Sequence, residues 1–189
     1  EIIITFADPN VKVICVANWD TSGDGEVSKG EAAAVTDIGT LFRSKRIKSF
    51  DEIRYFTGVT SLAEEAFYWN TSMKSFTIPA FITDIGAKVF AENCINALSV
   101  DTRNPVYDSR DNCNAIVETL TNKMIAGCGG TVIPASVTAI GEGAFYGAFT
   151  LKTIDIPITV NSIGTEAFYD CRGLESVTVH RTTPYTIIS

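Results

Sequence analysis

The hydrophobic positions along this chain follow a short motif that occurs three times. Residues 73–78, 151–156 and 174–179 each read apolar-x-x-apolar-x-apolar, and a proline follows the first two copies. Alternation of apolar and polar residues at the end of the motif predicts a short β-strand with one buried face. Equivalent strands are therefore expected at equivalent places in a repeated unit.

A second apolar segment, aliphatic-x-x-Ile-Gly, and then a phenylalanine follow prolines in the repeated unit. The aliphatic segments are residues 82–86, 137–141 and 160–164. Ile140 and Ile163 are 23 residues apart, and so are Phe145 and Phe168. A fixed period in the twenties is typical of a leucine-rich-repeat solenoid, in which each unit has an apolar edge that only a neighbouring coil can bury.

Residues 20–31 match the twelve-residue EF-hand calcium loop. Gly25 allows the sharp turn, and Val27 is expected to point inward. Apolar residues at helical spacing over 10–19, and the run 31–35, predict flanking helices. The expected calcium ligands supply side-chain oxygens, one carbonyl and one water-mediated contact, and they are Asp20, Ser22, Asp24, Glu26, Ser28 and Glu31.

Two other interpretations of this loop stay open. It is an acidic, glycine-rich surface turn without an ion, or it is part of a dockerin-like module, although such modules use paired loops and one loop is visible here. Because a solenoid needs a cover over its first open end, we expect calcium to stabilise a cap rather than to act as a signal.

The fold class is therefore predicted as α/β and β-rich. We expect a leucine-rich-repeat solenoid over 58–189, with short parallel strands and a short helical turn at each Ala-Phe-Tyr segment. A small helical EF-hand-like cap is expected over 1–57. One unit near 101–133 lacks the usual second half, and two apolar runs around the polar turn 121–123 predict a hairpin.

The Ile-Pro, Ile-Gly and Ala-Phe-Tyr-Asp-Cys series over about 58–189 resembles the BspA-like leucine-rich repeats of bacterial cell-surface proteins, common in Bacteroides-type anaerobes. That family places Cys or Asn a few residues after the phenylalanine. Asn70, Cys94 and Cys171 fit this position within one residue, whereas Ala148 departs from it. The resemblance implies a protein that is exported and displayed at, or released from, a bacterial surface, where it serves adhesion.

Composition and charge restrict the function classes. The net charge of −7 opposes binding to a phosphate backbone, so nucleic acid is not an expected partner. No apolar stretch reaches the ~18 residues of a transmembrane helix. The five cysteines have no Cys-x-x-Cys spacing, and Cys94, Cys128 and Cys171 are interpreted as buried free thiols rather than disulfides. The single histidine, His180, has no evident catalytic partner. No enzyme activity is expected.

The irregular unit offers a second candidate site. Tyr107, Asp108, Arg110 and Asp111 are predicted to form a ligand-contacting edge, and the alternative is a lengthened coil without a binding role. The outward strand positions are small and rich in hydroxyl groups, which suits a protein partner. These positions are Lys74, Ser75, Thr77, Asn96, Ala97, Ser99, Lys152, Thr153, Asp155, Glu175, Ser176 and Thr178.

The sequence thus predicts a non-enzymatic, monomeric, calcium-stabilised interaction protein that binds a host or bacterial surface protein or a matrix ligand. Two alternatives remain, namely a carbohydrate-recognition module for glycan capture and a structural spacer within a longer surface protein. The first residue is Glu1 and no leader precedes it, so a mature or trimmed chain is expected, and residues 183–188 resemble the start of a further coil.

Overall fold

Short parallel strands stack coil upon coil in the computed structural model, which describes residues 1–181 and 183–188. The predicted leucine-rich-repeat solenoid is confirmed. Thr182 and Ser189, which the predicted solenoid range includes, lie outside the described residues.

The front of the stack carries two separate ladders of parallel strands. Two residues of each front strand face outward. Every predicted outward position from Lys74 to Thr178 is exposed. The front ladders pair β2 with β4 and β9 with β11. Their bounds are β2 Ser75–Ile78, β4 Ala97–Val100, β9 Thr153–Ile156 and β11 Ser176–Val179.

The Ile-Gly segments form a second row of short strands. β1 pairs in parallel with β3, and further along β7, β8, β10 and β12 form a continuous parallel row. The bounds are β1 Ser61–Leu62, β3 Asp84–Ile85, β5 Tyr107–Asp108, β6 Ala115–Glu118, β7 Lys123–Gly127, β8 Ala139–Ile140, β10 Ser162–Gly164 and β12 Thr186–Ile188.

The back of each coil is a run of hydrogen-bonded turns. The N–H groups of Glu65, Phe67 and Trp69 donate to carbonyl oxygens of the next coil. Glu65 and Trp69, which flank the phenylalanine, have positive φ angles of 57° and 52°. The left-handed conformation recurs at matching places in the later coils. It aims backbone N–H groups along the stack, so the back segments pair with each other as the strands do.

The repeated phenylalanines stack in the interior. The rings of Phe67 and Phe90 lie 5.7 Å apart, and those of Phe145 and Phe168 lie 5.0 Å apart and nearly parallel. Phe42 stacks on Phe67 at 5.8 Å, so residues before position 58 also contribute a ring to the column. Within the two stacks, Phe42–Phe67–Phe90 and Phe145–Phe168, a ring covers the ring of the neighbouring coil, which is the burial that an isolated unit lacks.

A buried amide follows the phenylalanine column. The side-chain NH2 of Asn70 donates to the carbonyl oxygens of Phe42 and Phe67, and its amide oxygen accepts from the N–H of Ile47. Asn93 repeats the donation to Phe67 and Phe90, and the thiol of Cys171 donates to Phe145.

The assignment of this position to Cys94 is wrong. The side chain that bonds to the phenylalanine carbonyls is Asn93, which lies three residues after Phe90, the same offset as Asn70 from Phe67. Cys94 lies one residue beyond it. All five cysteines are free.

The hairpin is built into the stack. β6 and β7 pair antiparallel, and β5 adds to the outer side of β6. β7 then pairs in parallel with β8, so it takes the place of a coil's second short strand. The ring of Phe145 lies against Gly127, where an added Cβ would meet the ring at 2.1 Å. A side chain at position 127 would therefore force the next coil away from the hairpin.

The N-terminal region consists of α1 Pro9–Trp19, α2 Lys29–Ala34 and a 3₁₀ helix, Asp51–Tyr55. One hydrophobic core runs without interruption from Ile4 into the coils as far as Cys128. No helix in the described residues is long and apolar enough to cross a membrane.

Removing the Phe145 ring tests the column. Phe145 is 1% exposed, so Phe145→Ala is expected to lower the free energy of unfolding by about 3–5 kcal/mol. Tyr169→Ala, at an exposed back position, is the control and is expected to cost under about 1 kcal/mol. Urea denaturation followed by circular dichroism measures both. A loss below about 1 kcal/mol for Phe145→Ala would contradict the stacked core.

Removing the Asn70 amide tests the buried polar contacts. Asn70→Ala removes the partner of the Phe42 carbonyl oxygen and of the Ile47 N–H, whereas the Phe67 carbonyl oxygen keeps its bond from Asn93. We therefore expect a loss of about 1–3 kcal/mol in unfolding free energy for each group left unsatisfied, less where water enters. Cys171→Ser keeps a donor at the equivalent place and serves as the control. Equal losses in the two variants, measured by urea denaturation, would argue against the amide's role.

Candidate functional site

The loop between α1 and α2 has the backbone of the predicted calcium loop. Gly25 has a φ of +82°, which provides the sharp turn at the sixth position, and Val27 is fully buried at the eighth. Ser28 caps α2, and Glu31 completes a capping box with it. The local sequence therefore places Asp20 and Glu31, the first and last acidic residues of the loop, before and after the turn at Gly25.

A segment that the sequence analysis did not assign pairs with this loop. Ile3 forms an antiparallel bridge with Ser28, and the N–H of Ile4 donates to the carbonyl oxygen of Val27. The run of three isoleucines at residues 2–4, with high strand propensity, was the available signal. This segment gives the single loop a backbone partner.

Both loop carboxylates accept hydrogen bonds from the loop itself. Asp20 accepts from the N–H groups of Gly23 and Gly25, at 2.7 and 2.8 Å. Glu31 accepts from the N–H groups of Thr21, Ser22 and Ser28.

These hydrogen bonds favour the ionised carboxylates. Those from the Ser28 and Ser22 N–H groups lower the pKa of Glu31 to about 2. Desolvation raises the pKa of Asp20, but the hydrogen bonds from Gly25, Gly23 and Ser22 together outweigh it and lower the pKa. Both groups are therefore anionic at neutral pH, as a hard divalent cation requires.

The remaining predicted ligands lie on the same loop. Ser22 donates its hydroxyl to Asp20, Asp24 accepts from the Glu26 N–H, and the Glu26 carboxylate pairs with Lys12. In the described ranges, no three His, Cys, Asp or Glu side chains converge into a metal-binding group. The donor set is all oxygen and fits calcium. To bind the ion, the Glu31 carboxylate would have to give up hydrogen bonds that it now accepts from loop N–H groups.

The loop is coupled to the solenoid through Trp19. The indole ring lies 5.3 Å from the ring of Phe56 and 6.2 Å from that of Phe42, measured between centroids. Phe42 is the first ring of the phenylalanine column. Asp20 follows Trp19 directly, so the start of the loop is adjacent to a residue that contacts the end of the coil stack.

The second candidate site is only partly at the surface. Tyr107 is 5% exposed and packs in the core, so the structure does not place it on a ligand-contacting edge. Asp108 and Arg110 form an ion pair at 2.7 Å, and Asp111 is exposed with a positive φ of 56°. Arg110 also donates to Asn122 of the hairpin turn, so these charges fasten β5 to the hairpin.

The front surface is polar on both ladders. The hydroxyl groups of Thr77 and Ser99 lie 2.8 Å apart on neighbouring strands. On the second ladder, His180 contacts Asp155 at 2.7 Å, and Lys152 pairs with Glu175 at 3.1 Å. The strands hold these side chains in a rigid array.

Comparison with solved structures gives three similar proteins. The pneumococcal vaccine antigen PcpA aligns with a TM-score of 0.54 at 20% identity, over 64% of this chain and 31% of its own length. A leucine-rich repeat protein from Eubacterium ventriosum aligns with a TM-score of 0.48 at 21% identity, over 69% of this chain and 41% of its own length. A leucine-rich cell surface protein from Faecalibacterium prausnitzii aligns with a TM-score of 0.40 at 19% identity, over 67% of this chain and 52% of its own length.

The likeness to PcpA supports the solenoid fold, and the chain spans less than a third of that antigen's length. No curated protein matches the chain significantly. The model of the BspA type leucine rich repeat region matches residues 39–175 and 128–188, with six copies of the repeat. With its coils, phenylalanine column and repeat matches in agreement, this chain belongs to the BspA-type leucine-rich-repeat family.

Proposed function

We propose that this chain is a non-enzymatic interaction protein of a bacterial surface or its surroundings, which binds a surface protein or matrix ligand through its solenoid. The observation that carries the proposal is the rigid front array of exposed, small, polar side chains on two strand ladders. The family and the description of PcpA as a pneumococcal vaccine antigen support the location.

Calcium is proposed to stabilise the cap of this protein. Asp20, Ser22, Asp24 and Glu31 would bind it through side-chain oxygens, Glu26 through its carbonyl and Ser28 through a water. The ion would compensate the negative charge of the Asp20 and Glu31 carboxylates, which belong to the same loop. Because Trp19 contacts Phe42 and Phe56, stabilising the loop stabilises the first coil as well.

Calcium should raise the melting temperature and change the fluorescence of Trp19. An isolated loop of the extracellular type has a Kd of about 10⁻⁴–10⁻³ M, so ~10 mM calcium should stabilise the fold by ~1.4–2.7 kcal/mol. Glu31→Gln should lose this response, because it lacks the second anionic oxygen but still caps α2.

Glu26→Gln is the matched control, since only the carbonyl of Glu26 is assigned to the ion and its carboxylate pairs with Lys12. It should keep the calcium response. If calcium added to chelated protein changes neither signal, the calcium proposal is wrong.

Ligand binding should depend on the front surface. Thr77→Lys combined with Thr178→Lys places one added charge on each ladder, and we expect at least about a tenfold loss of affinity for a protein ligand. Thr60→Lys with Thr83→Lys adds the same charge beside the second row of strands and should bind normally. The assay is binding to an array of purified matrix and bacterial surface proteins, with a glycan array beside it. Binding confined to glycans would favour the carbohydrate alternative.

A further inference from the structure

The two front ladders are separated because the chain between them turns away. Residues 131–133 occupy the place of a front strand, yet within the described residues they form none. The N–H of Val132 donates to the carbonyl oxygen of Cys113, and the hydroxyl of Thr131 donates to that of Asn114. These bonds fasten the segment to the hairpin unit instead of to β9.

As a result, one edge of β9 has no strand partner. In the described part of the chain, β9 pairs with β11 alone. The carbonyl oxygens of Lys152 and Ile156 accept from the β11 side. Because successive residues of a strand point their backbone groups to opposite edges, the N–H and C=O groups of Thr153 and Asp155 face the free edge.

A groove of about 690 Å³ opens beside this edge. One wall is formed by residues 131–135 and the other by β9, the turn after it, and His180. Two large aliphatic side chains stand exposed in the lining, Val132 at 70% and Ile158 at 66%. Unpaired backbone groups beside exposed aliphatic side chains are the two features that an extended peptide uses when it adds a strand to a sheet.

The charge of the groove selects among peptides. Among the described residues that line the groove, Asp155 is the one carboxylate, no Lys or Arg is present, and His180 contacts Asp155 at 2.7 Å. The whole chain carries a net charge of −7. A basic segment is therefore attracted to this surface, and an acidic one is repelled.

The free edge of β2 lacks this preference. A groove of about 380 Å³ lies beside β2, and it contains Arg54 and Arg103 as well as Asp51 and Asp101. Its charges balance, and Arg103 already pairs with Asp101 at 2.7 Å. Unlike the edge of β2, the edge of β9 combines free backbone groups and exposed aliphatic side chains with a carboxylate that has no Lys or Arg among the described residues of its groove.

We propose that the free edge of β9 binds an extended, basic segment of a protein partner by strand addition, with a Lys or Arg of the segment opposite Asp155 and aliphatic residues against Val132 and Ile158. This inference rests on the proposed function as an interaction protein and names the chemistry of the ligand.

The test uses labelled seven-residue peptides in which threonine and valine alternate around a central lysine, or a central glutamate. Fluorescence anisotropy on the full chain should show that the lysine peptide binds at least about tenfold more tightly. Asp155→Asn should remove most of this difference. Asp84→Asn, which removes another exposed carboxylate, on β3, should leave it unchanged.

Backbone pairing is tested separately. Hydrogen exchange measured by NMR should slow at the Thr153 and Asp155 N–H groups when the lysine peptide is added, and a peptide N-methylated at alternate residues should neither bind nor protect. Equal binding of the methylated peptide, or of the glutamate peptide, would overturn the proposal.

A dimer that Val132→Lys dissociates in sedimentation experiments would also overturn the proposal, because a second copy of the chain would then fill the groove. If the front-surface variant loses its protein ligand while the lysine peptide fails to protect β9, this inference fails and the proposed function stands.

Discussion

The constraint on which this structure depends is that a single coil cannot bury its own apolar edge. Phe67 is covered by the rings of Phe42 and Phe90 on neighbouring coils, and the buried amides of Asn70 and Asn93 each donate to carbonyl oxygens of two coils. Stability is therefore shared between neighbours. Both ends of such a stack, and any irregular coil within it, need their own means of covering apolar surface.

The chain meets this requirement differently at its two special places. At the N-terminal end, α1, the acidic loop and α2 cover the first coil, and Trp19 joins them to the phenylalanine column. At the irregular unit, β7 replaces a coil's second strand and Gly127 lets the ring of Phe145 approach. The hairpin thus preserves the row of short strands, but it draws residues 131–133 away from the front and breaks the front sheet in two. The feature that maintains the core at this point also creates the free edge of β9.

Much of the fold and part of the candidate site could be predicted from the sequence. The 23-residue spacing identified the coils, and the alternation in residues 73–78 and 151–156 identified which side chains face outward. The loop motif placed the turn at Gly25 correctly because it depends on neighbouring residues alone, and it also predicted the inward side chain of Val27. The polar position after Phe90 was assigned to Cys94, one residue too far along the chain, because this cysteine satisfied the same loose pattern. Only the hydrogen bonds from Asn93 to Phe67 and Phe90 distinguish the two residues.

Local sequence determined the repeat, the strands, the turn chemistry of the loop and the identity of the buried rings, because each of these follows from periodicity or from residues within one unit. Tertiary structure decided what depends on contacts between distant segments. It paired residues 2–4 with the loop, buried Tyr107 away from the surface where it had been expected, and turned residues 131–133 towards Cys113. Such outcomes depend on which partner offers a backbone group the better hydrogen bond, and a one-dimensional pattern does not contain that competition.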